Sequence, residues 1–131
     1  MKLLLDTHIW IWMVTKPERI VRPVRRQLES AKNELYLSPI SLWEAHLLER
    51  RGKLGLRPSF SEWLEIAFAR TPVQEAQFNF AVAAEASRIQ LPQMDLGDVL
   101  IAATATVFDF TLVTADSQLL NCAWLKTLAN E

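Results

Sequence analysis

The chain has 131 residues, 50% of them hydrophobic and 22% charged, with a formal net charge of −1. That balance fits a single globular domain, 1–131, with a proper core, and excludes a disordered chain or two full domains. A net charge near zero excludes a generally basic nucleic-acid-binding domain, so any RNA or DNA site must be a local patch.

Cys122 is the only cysteine, so no intramolecular disulfide can form and a reducing interior is expected. The N-terminus lacks the basic start and cleavage pattern of a secretory signal. No apolar run reaches the ~20 residues of a transmembrane helix. A soluble, cytoplasmic protein with no membrane role is expected.

In chain order, the apolar run Leu3–Leu5, closed by Asp6-Thr7, reads as a buried strand. Helices are expected from His8 to Val14 and from Arg19 to Ala31, with Pro17 at the start of the second and Pro23 resetting its beginning. Leu35–Leu37 reads as a second strand, and Ser41 to Arg51 as a helix stopped by Gly52. Further helices are expected from Ser59 to Arg70 and from Phe78 to Ile89, stopping before Pro92, with a weak strand near Val73 between them. Leu96 to Phe108 is an almost wholly apolar helix, to be buried on most faces. Thr111–Thr114 is a β-rich strand, and Trp124 to Leu128 reads as a last edge strand. Strands alternating with helices indicate an α/β fold with a central, mostly parallel sheet of about 4–5 strands.

Four carboxylates, Asp6, Glu44, Asp98 and Asp116, fall where a strand gives way to a helix or in a helix's first turn. In an open parallel sheet the carboxyl ends of the strands share one edge, where ligands bind, so these distant acids should meet. Such a cluster of like charges is costly unless a cation neutralises it or protons are retained. A hard divalent metal is the simplest occupant. Each acid also has a plainer reading. Asp6 and Asp116 could cap the helices that follow them. Ser41-Leu42-Trp43-Glu44 has the form of a capping box, with Glu44 reaching back to Ser41. Asp95 is the natural cap of the apolar helix, which leaves Asp98 in its first turn, facing the core. Four caps need not all be acidic, however, since Ser, Thr or Asn would serve without repulsion. Spacing alone leaves receiver domains and phosphatases open. A receiver requires an acidic pair after the first strand and a lysine after the last; Asp6 stands alone, and Thr111–Asp116 contains no lysine.

The strings Leu4-Leu5-Asp6-Thr7-His8, Ser38-Pro39-Ile40-Ser41-Leu42-Trp43-Glu44, Gly52-Lys53-Leu54, Asp95-Leu96-Gly97-Asp98 and Leu112-Val113-Thr114-Ala115-Asp116 occur in that order. Together with Ile101-Ala102-Ala103-Thr104-Ala105 they resemble the PIN-domain family, in particular VapC-type toxins of toxin–antitoxin pairs, from about Met1 to Leu120. The resemblance implies a Mg²⁺- or Mn²⁺-dependent endoribonuclease, inhibited by a small cognate antitoxin and usually a homodimer. It maps the family's acidic quartet onto Asp6, Glu44, Asp98 and Asp116. Gln93 stands where many relatives carry His, and Leu96 and Val99 stand where Pro and Arg are common. None of these departures removes a metal ligand.

Thr7 and Thr114 could hold a ligand carboxylate or a metal-bound water by hydrogen bonds. Arg50, Arg51 and Lys53 form a basic patch that reads either as a solvated helix end or as a rim tracking RNA phosphates. His8 and His46 are expected to be structural. Trp10 and Trp12 cannot share a helix face, so one of them, with Met13, is expected to serve a partner surface. On this reading a metal-activated water attacks the RNA phosphodiester, with one or two ions present. The rival readings are a non-catalytic PIN-like module that binds RNA or protein, and a DNA nuclease.

Overall fold

The computed structural model describes residues 1–90, 93 and 95–131. Five strands, β1 (Lys2–Leu5), β2 (Glu34–Leu37), β3 (Gln74–Glu75), β4 (Thr111–Thr114) and β5 (Thr127–Ala129), form one sheet in the order β3-β2-β1-β4-β5. All four pairings are parallel, so every carboxyl end lies along one edge. β1 is central, flanked by β2 and β4.

The apolar run of β1 is what a strand covered on both faces requires. Leu3 and Leu5 point into one core with Val113, Ile9, Trp10, Val24 and Trp63, drawn from β4 and from α1 (Thr7–Thr15), α2 (Arg22–Glu29) and α4 (Phe60–Arg70). Leu4 points the other way with Leu112, against Ile101, Ala102 and Ala105 of α6 (Leu96–Phe108) and Leu119 of α7 (Ser117–Leu120). The result is a sheet between two helical layers.

Most helix boundaries follow local chemistry. Pro17 opens a 3₁₀ turn, Pro17–Arg19, and Pro23 lies in the first turn of a separate α2, so the single helix expected from Arg19 to Ala31 is split. α3 (Pro39–Arg50) starts earlier than expected. Its cap is Ser38, whose hydroxyl accepts the Ile40 N–H at 3.0 Å, so the capping box assigned to Ser41 and Glu44 does not form. α3 ends in a Schellman motif at Gly52, φ 72°, where the Lys53 N–H reaches the Leu48 carbonyl and the Gly52 N–H that of Glu49. α5 (Phe80–Ala86), capped by Asn79, is shorter than the expected 78–89 helix, and the stop assigned to Pro92 lies outside the described residues. β5 begins at Thr127 rather than Trp124. No helix among the described residues is long and apolar enough to cross a membrane.

Candidate active site

Because β1 and β4 are neighbours, the residues that leave their carboxyl ends are neighbours too. Asp6 follows Leu5 directly and caps α1, its Oδ1 accepting the Thr7 N–H at 2.9 Å. Its Oδ2 accepts the Thr114 hydroxyl from the end of β4 at 2.6 Å. That hydroxyl oxygen in turn accepts the Asp116 N–H at 3.0 Å, so Thr114 ties the two aspartates together. Asp116 caps α7, with Oδ1 taking the N–H groups of Gln118 and Leu119 at 2.8 and 3.4 Å.

Glu44 comes from α3. Its Oε1 lies 2.5 Å from the Thr7 hydroxyl, which also lies 2.9 Å from the Ser41 hydroxyl. A threonine has one hydroxyl proton. If the shorter contact takes it, Ser41 is the donor at the longer one. Ser41 is fully buried here, a role the sequence reading missed by treating it as a cap. Asp98 lies in the first turn of α6, its N–H bound to the Asp95 cap at 2.9 Å.

All four acids line one open cavity of about 770 Å³. Asp95 lines it as well, a fifth carboxylate that its role as a cap had hidden; among the described residues Arg51 is the only Lys or Arg on the wall. Trp12, Trp43, Leu47 and Leu96 give the wall an apolar part. Of the basic patch only Arg51 lines the cavity, while Arg50 and Lys53 are exposed outside that lining. His8, expected to be structural, is an exposed part of the wall with its ring 5.8 Å from that of Trp12. His46 packs between Trp43 and Phe60, both at 5.2 Å, as a structural residue would. Trp10 is fully buried against Trp63 and is removed from any partner surface. The side chains of Trp43 and Leu96 are the exposed ones, 57% and 73% accessible.

The electrostatics follow from this packing. Burial pushes the Asp6 carboxyl above the ordinary carboxylate range, and the Asp116 charge adds to it. The hydrogen bonds from Thr114 and Thr7 and the nearby His8 oppose the rise. Burial also raises Glu44, helped by Asp95 and Asp6 and opposed by the Thr7 hydroxyl. Asp98 is lifted from 3.8 to about 7, first by burial and then by repulsion from Asp95, Asp6, Asp116 and Glu44. A site in which the acids resist losing their protons is a site that favours a cation.

An all-parallel α/β domain with an acid-lined cavity at the carboxyl edge of its sheet has the architecture of the open-sheet proteins, whose ligands bind at that edge. More narrowly, the PIN domain model matches residues 3–125, and the chain belongs to the PIN domain family. Among solved structures it is similar to VapBC2 from Rickettsia felis bound to a DNA fragment from their promoter, at 20% identity over 100% of both chains with a TM-score of 0.69. It is also similar to VapBC-1 from nontypeable Haemophilus influenzae, at 20% identity over 98% of each chain and a TM-score of 0.67. FitAcB from Neisseria gonorrhoeae shares 25% identity over 98% of this chain and 97% of that one, with a TM-score of 0.65. These likenesses establish the fold. No curated protein matches the sequence.

Proposed function

We propose that the chain is a Mg²⁺- or Mn²⁺-dependent endoribonuclease, the toxin of a toxin–antitoxin pair acting in the cytoplasm, with Asp6, Glu44, Asp98 and Asp116 as its acidic centre. The observation that carries this reading is that acids from four separate segments line one cavity whose wall, among the described residues, includes a single arginine and no lysine. Membership of the PIN family supports the nuclease reading. The toxin–antitoxin structures among its fold relatives support the toxin role.

The donor set fits a hard divalent cation. The acids of the wall are all carboxylates, the ligand type suited to Mg²⁺ and Mn²⁺. Among the described residues no three acids, histidines or cysteines are close enough to cage an ion unaided. Mg²⁺ keeps several of its waters, so few carboxylates need touch it directly. Asp98 would contribute most freely, since its side chain makes no hydrogen bond among the described residues, and Asp116 retains Oδ2 beyond its capping bonds. Asp6, fixed at both oxygens, and Glu44, fixed at one, complete the set. A bound ion supplies an acidified water as nucleophile and stabilises charge on the phosphate and the leaving oxygen.

The protein's own contribution is rigidity. Thr114 holds Asp6 with a proton donor while accepting from the backbone of Asp116, which fixes the relative position of two ligands. Thr7 contacts Glu44 through its hydroxyl and Asp6 through its backbone N–H. Arg51, on the cavity wall, would contact an RNA phosphate, and exposed Arg50 and Lys53 would extend that cationic strip beyond the cavity.

A small cognate antitoxin would inhibit the enzyme by placing an Arg or Lys among the acids while covering the apolar wall at Trp12, Trp43 and Leu96, with the toxin itself a homodimer. The test is cleavage of RNA by the purified chain with Mg²⁺ or Mn²⁺ and with chelator, alongside expression without an antitoxin. Metal-dependent cleavage and growth arrest, both lost in Asp6→Asn, are expected. Full cleavage in excess chelator would refute the metal mechanism. A harmless chain without metal-dependent cleavage makes the non-catalytic module the better reading.

A further inference from the structure

Resting on that reading, we infer that Gly97 is a positioning residue for Glu44: the bare Cα at the second residue of α6 is the seat of the Glu44 carboxylate. Glycine disfavours a helix by its backbone freedom, and alanine at the same place would favour it. The backbone gives no reason for glycine here, because among the described residues the glycine in the left-handed region is Gly52, not Gly97.

The reason is space. A Cβ on Gly97 would lie 2.0 Å from Oε2 of Glu44, 2.7 Å from its Cδ and 3.2 Å from Oε1. All three atoms belong to the carboxyl end of one side chain, which the Thr7 hydroxyl contacts at Oε1. Glu44 is therefore wedged between the first residue of α1 and the first turn of α6, the turn that also carries Asp95 and Asp98. A Cβ on Gly97 would not unfold the protein, because the far end of a glutamate can swing into the open cavity. It would remove a carboxylate from its place among the proposed ligands.

Gly97→Ala separates position from stability. Its metal-free melting temperature should equal or exceed that of wild type, because α6 gains a better helix former. Its affinity for Mn²⁺ alone, read from the free-ion electron paramagnetic resonance signal, should fall about tenfold, as when a ligand loses its support. Adding Glu44→Asp, one methylene shorter, should relieve the clash, so that the double variant binds Mn²⁺ more tightly than Gly97→Ala alone. Wild-type Mn²⁺ affinity in Gly97→Ala overturns the inference, as do independent, additive losses from the two substitutions. Melting of Gly97→Ala well below wild type assigns Gly97 to packing instead and also overturns it. A wild-type chain that binds no Mn²⁺ overturns the proposed metal centre as well, whereas a normal wild-type titration with an unaffected variant overturns the positioning role alone.

Discussion

Asp98→Asn should make the metal-free protein more stable, by a margin that grows as the pH rises above about 4. The Asp98 carboxyl is raised from 3.8 to about 7 by burial and by repulsion from Asp95, Asp6, Asp116 and Glu44. An acid that holds its proton more tightly in the folded state weakens the fold once ionised. The penalty is absent below the unfolded value near 3.8, grows as the pH rises, and is complete above about 7. Taken whole, the shift corresponds to about 4 kcal/mol. Asp98 is only half-buried in an open cavity, and solvent screening reduces this to about 1–2 kcal/mol. Asparagine keeps the shape and removes the charge, at the loss of about 0.3–1 kcal/mol of interaction with the α6 dipole. The net gain at pH 8, about 1 kcal/mol, corresponds to a rise of roughly 3–5 °C in melting temperature for a domain of this size. Thermal melts by circular dichroism in chelator from pH 3.5 to 8.5 provide the assay. Wild type should lose stability as the pH rises, the variant less so, and the two should converge as the pH falls to about 3.8. Residual slope in the variant is expected from Asp6 and Glu44, which are raised by the same causes. An Asn variant that melts below wild type at pH 8, or a gap equal at both ends of the range, would refute the repulsion argument.

Thr114→Val, nearly isosteric and fully buried, deprives Asp6 Oδ2 of its donor and the Asp116 N–H of its acceptor. A loss of about 1–3 kcal/mol in denaturant unfolding is expected, with RNA cleavage slowed roughly 10- to 100-fold; wild-type values in both assays would contradict the tie between the two aspartates. Arg51→Ala should raise KM for RNA several-fold with little change in kcat, and lower the salt slope of binding by about 1. Arg50→Ala and Lys53→Ala, outside the cavity wall, should do less, and equal effects from all three would remove the special place given to Arg51.

Where sequence and structure agree, one residue carries one local job. Leu3–Leu5 could only be a strand covered on both faces, Gly52 only a helix stop, and the Leu96 to Phe108 helix is observed with the expected ends. The PIN resemblance in the ordered acidic strings is matched by the family model over residues 3–125. Disagreements arise where a tertiary contact decides between two locally reasonable roles. Ser38 and Ser41 both precede apolar helical residues, and a capping box favours Ser41. Pro39 tips the choice by fitting the first helical position after Ser38, which frees Ser41 to meet Thr7 across 34 residues. Trp10 and Trp12 look alike in sequence, and only the neighbouring α4 determines that Trp10 enters the core against Trp63. Gly97 carries no local signal at all, because its neighbour Glu44 is 53 residues away on another helix.

The acids reveal something further, since cap and proposed ligand are not alternatives for them. Asp6 and Asp116 do cap α1 and α7, and in each case one oxygen satisfies the helix's first N–H groups while the other is left for a second task. Asp6 spends that second oxygen on Thr114, and Asp116 keeps its own free of protein donors among the described residues. A helix N-terminus at the carboxyl edge of a parallel strand therefore does two things for a carboxylate. It fixes the carboxylate's orientation through backbone hydrogen bonds, and it places it beside the matching residue of the next strand. Ser, Thr or Asn in these positions would cap equally well but would bring no charge to the cavity. The acidic choice at every one of these positions is thus the part of the local sequence that capping leaves unexplained and the proposed shared cation would account for.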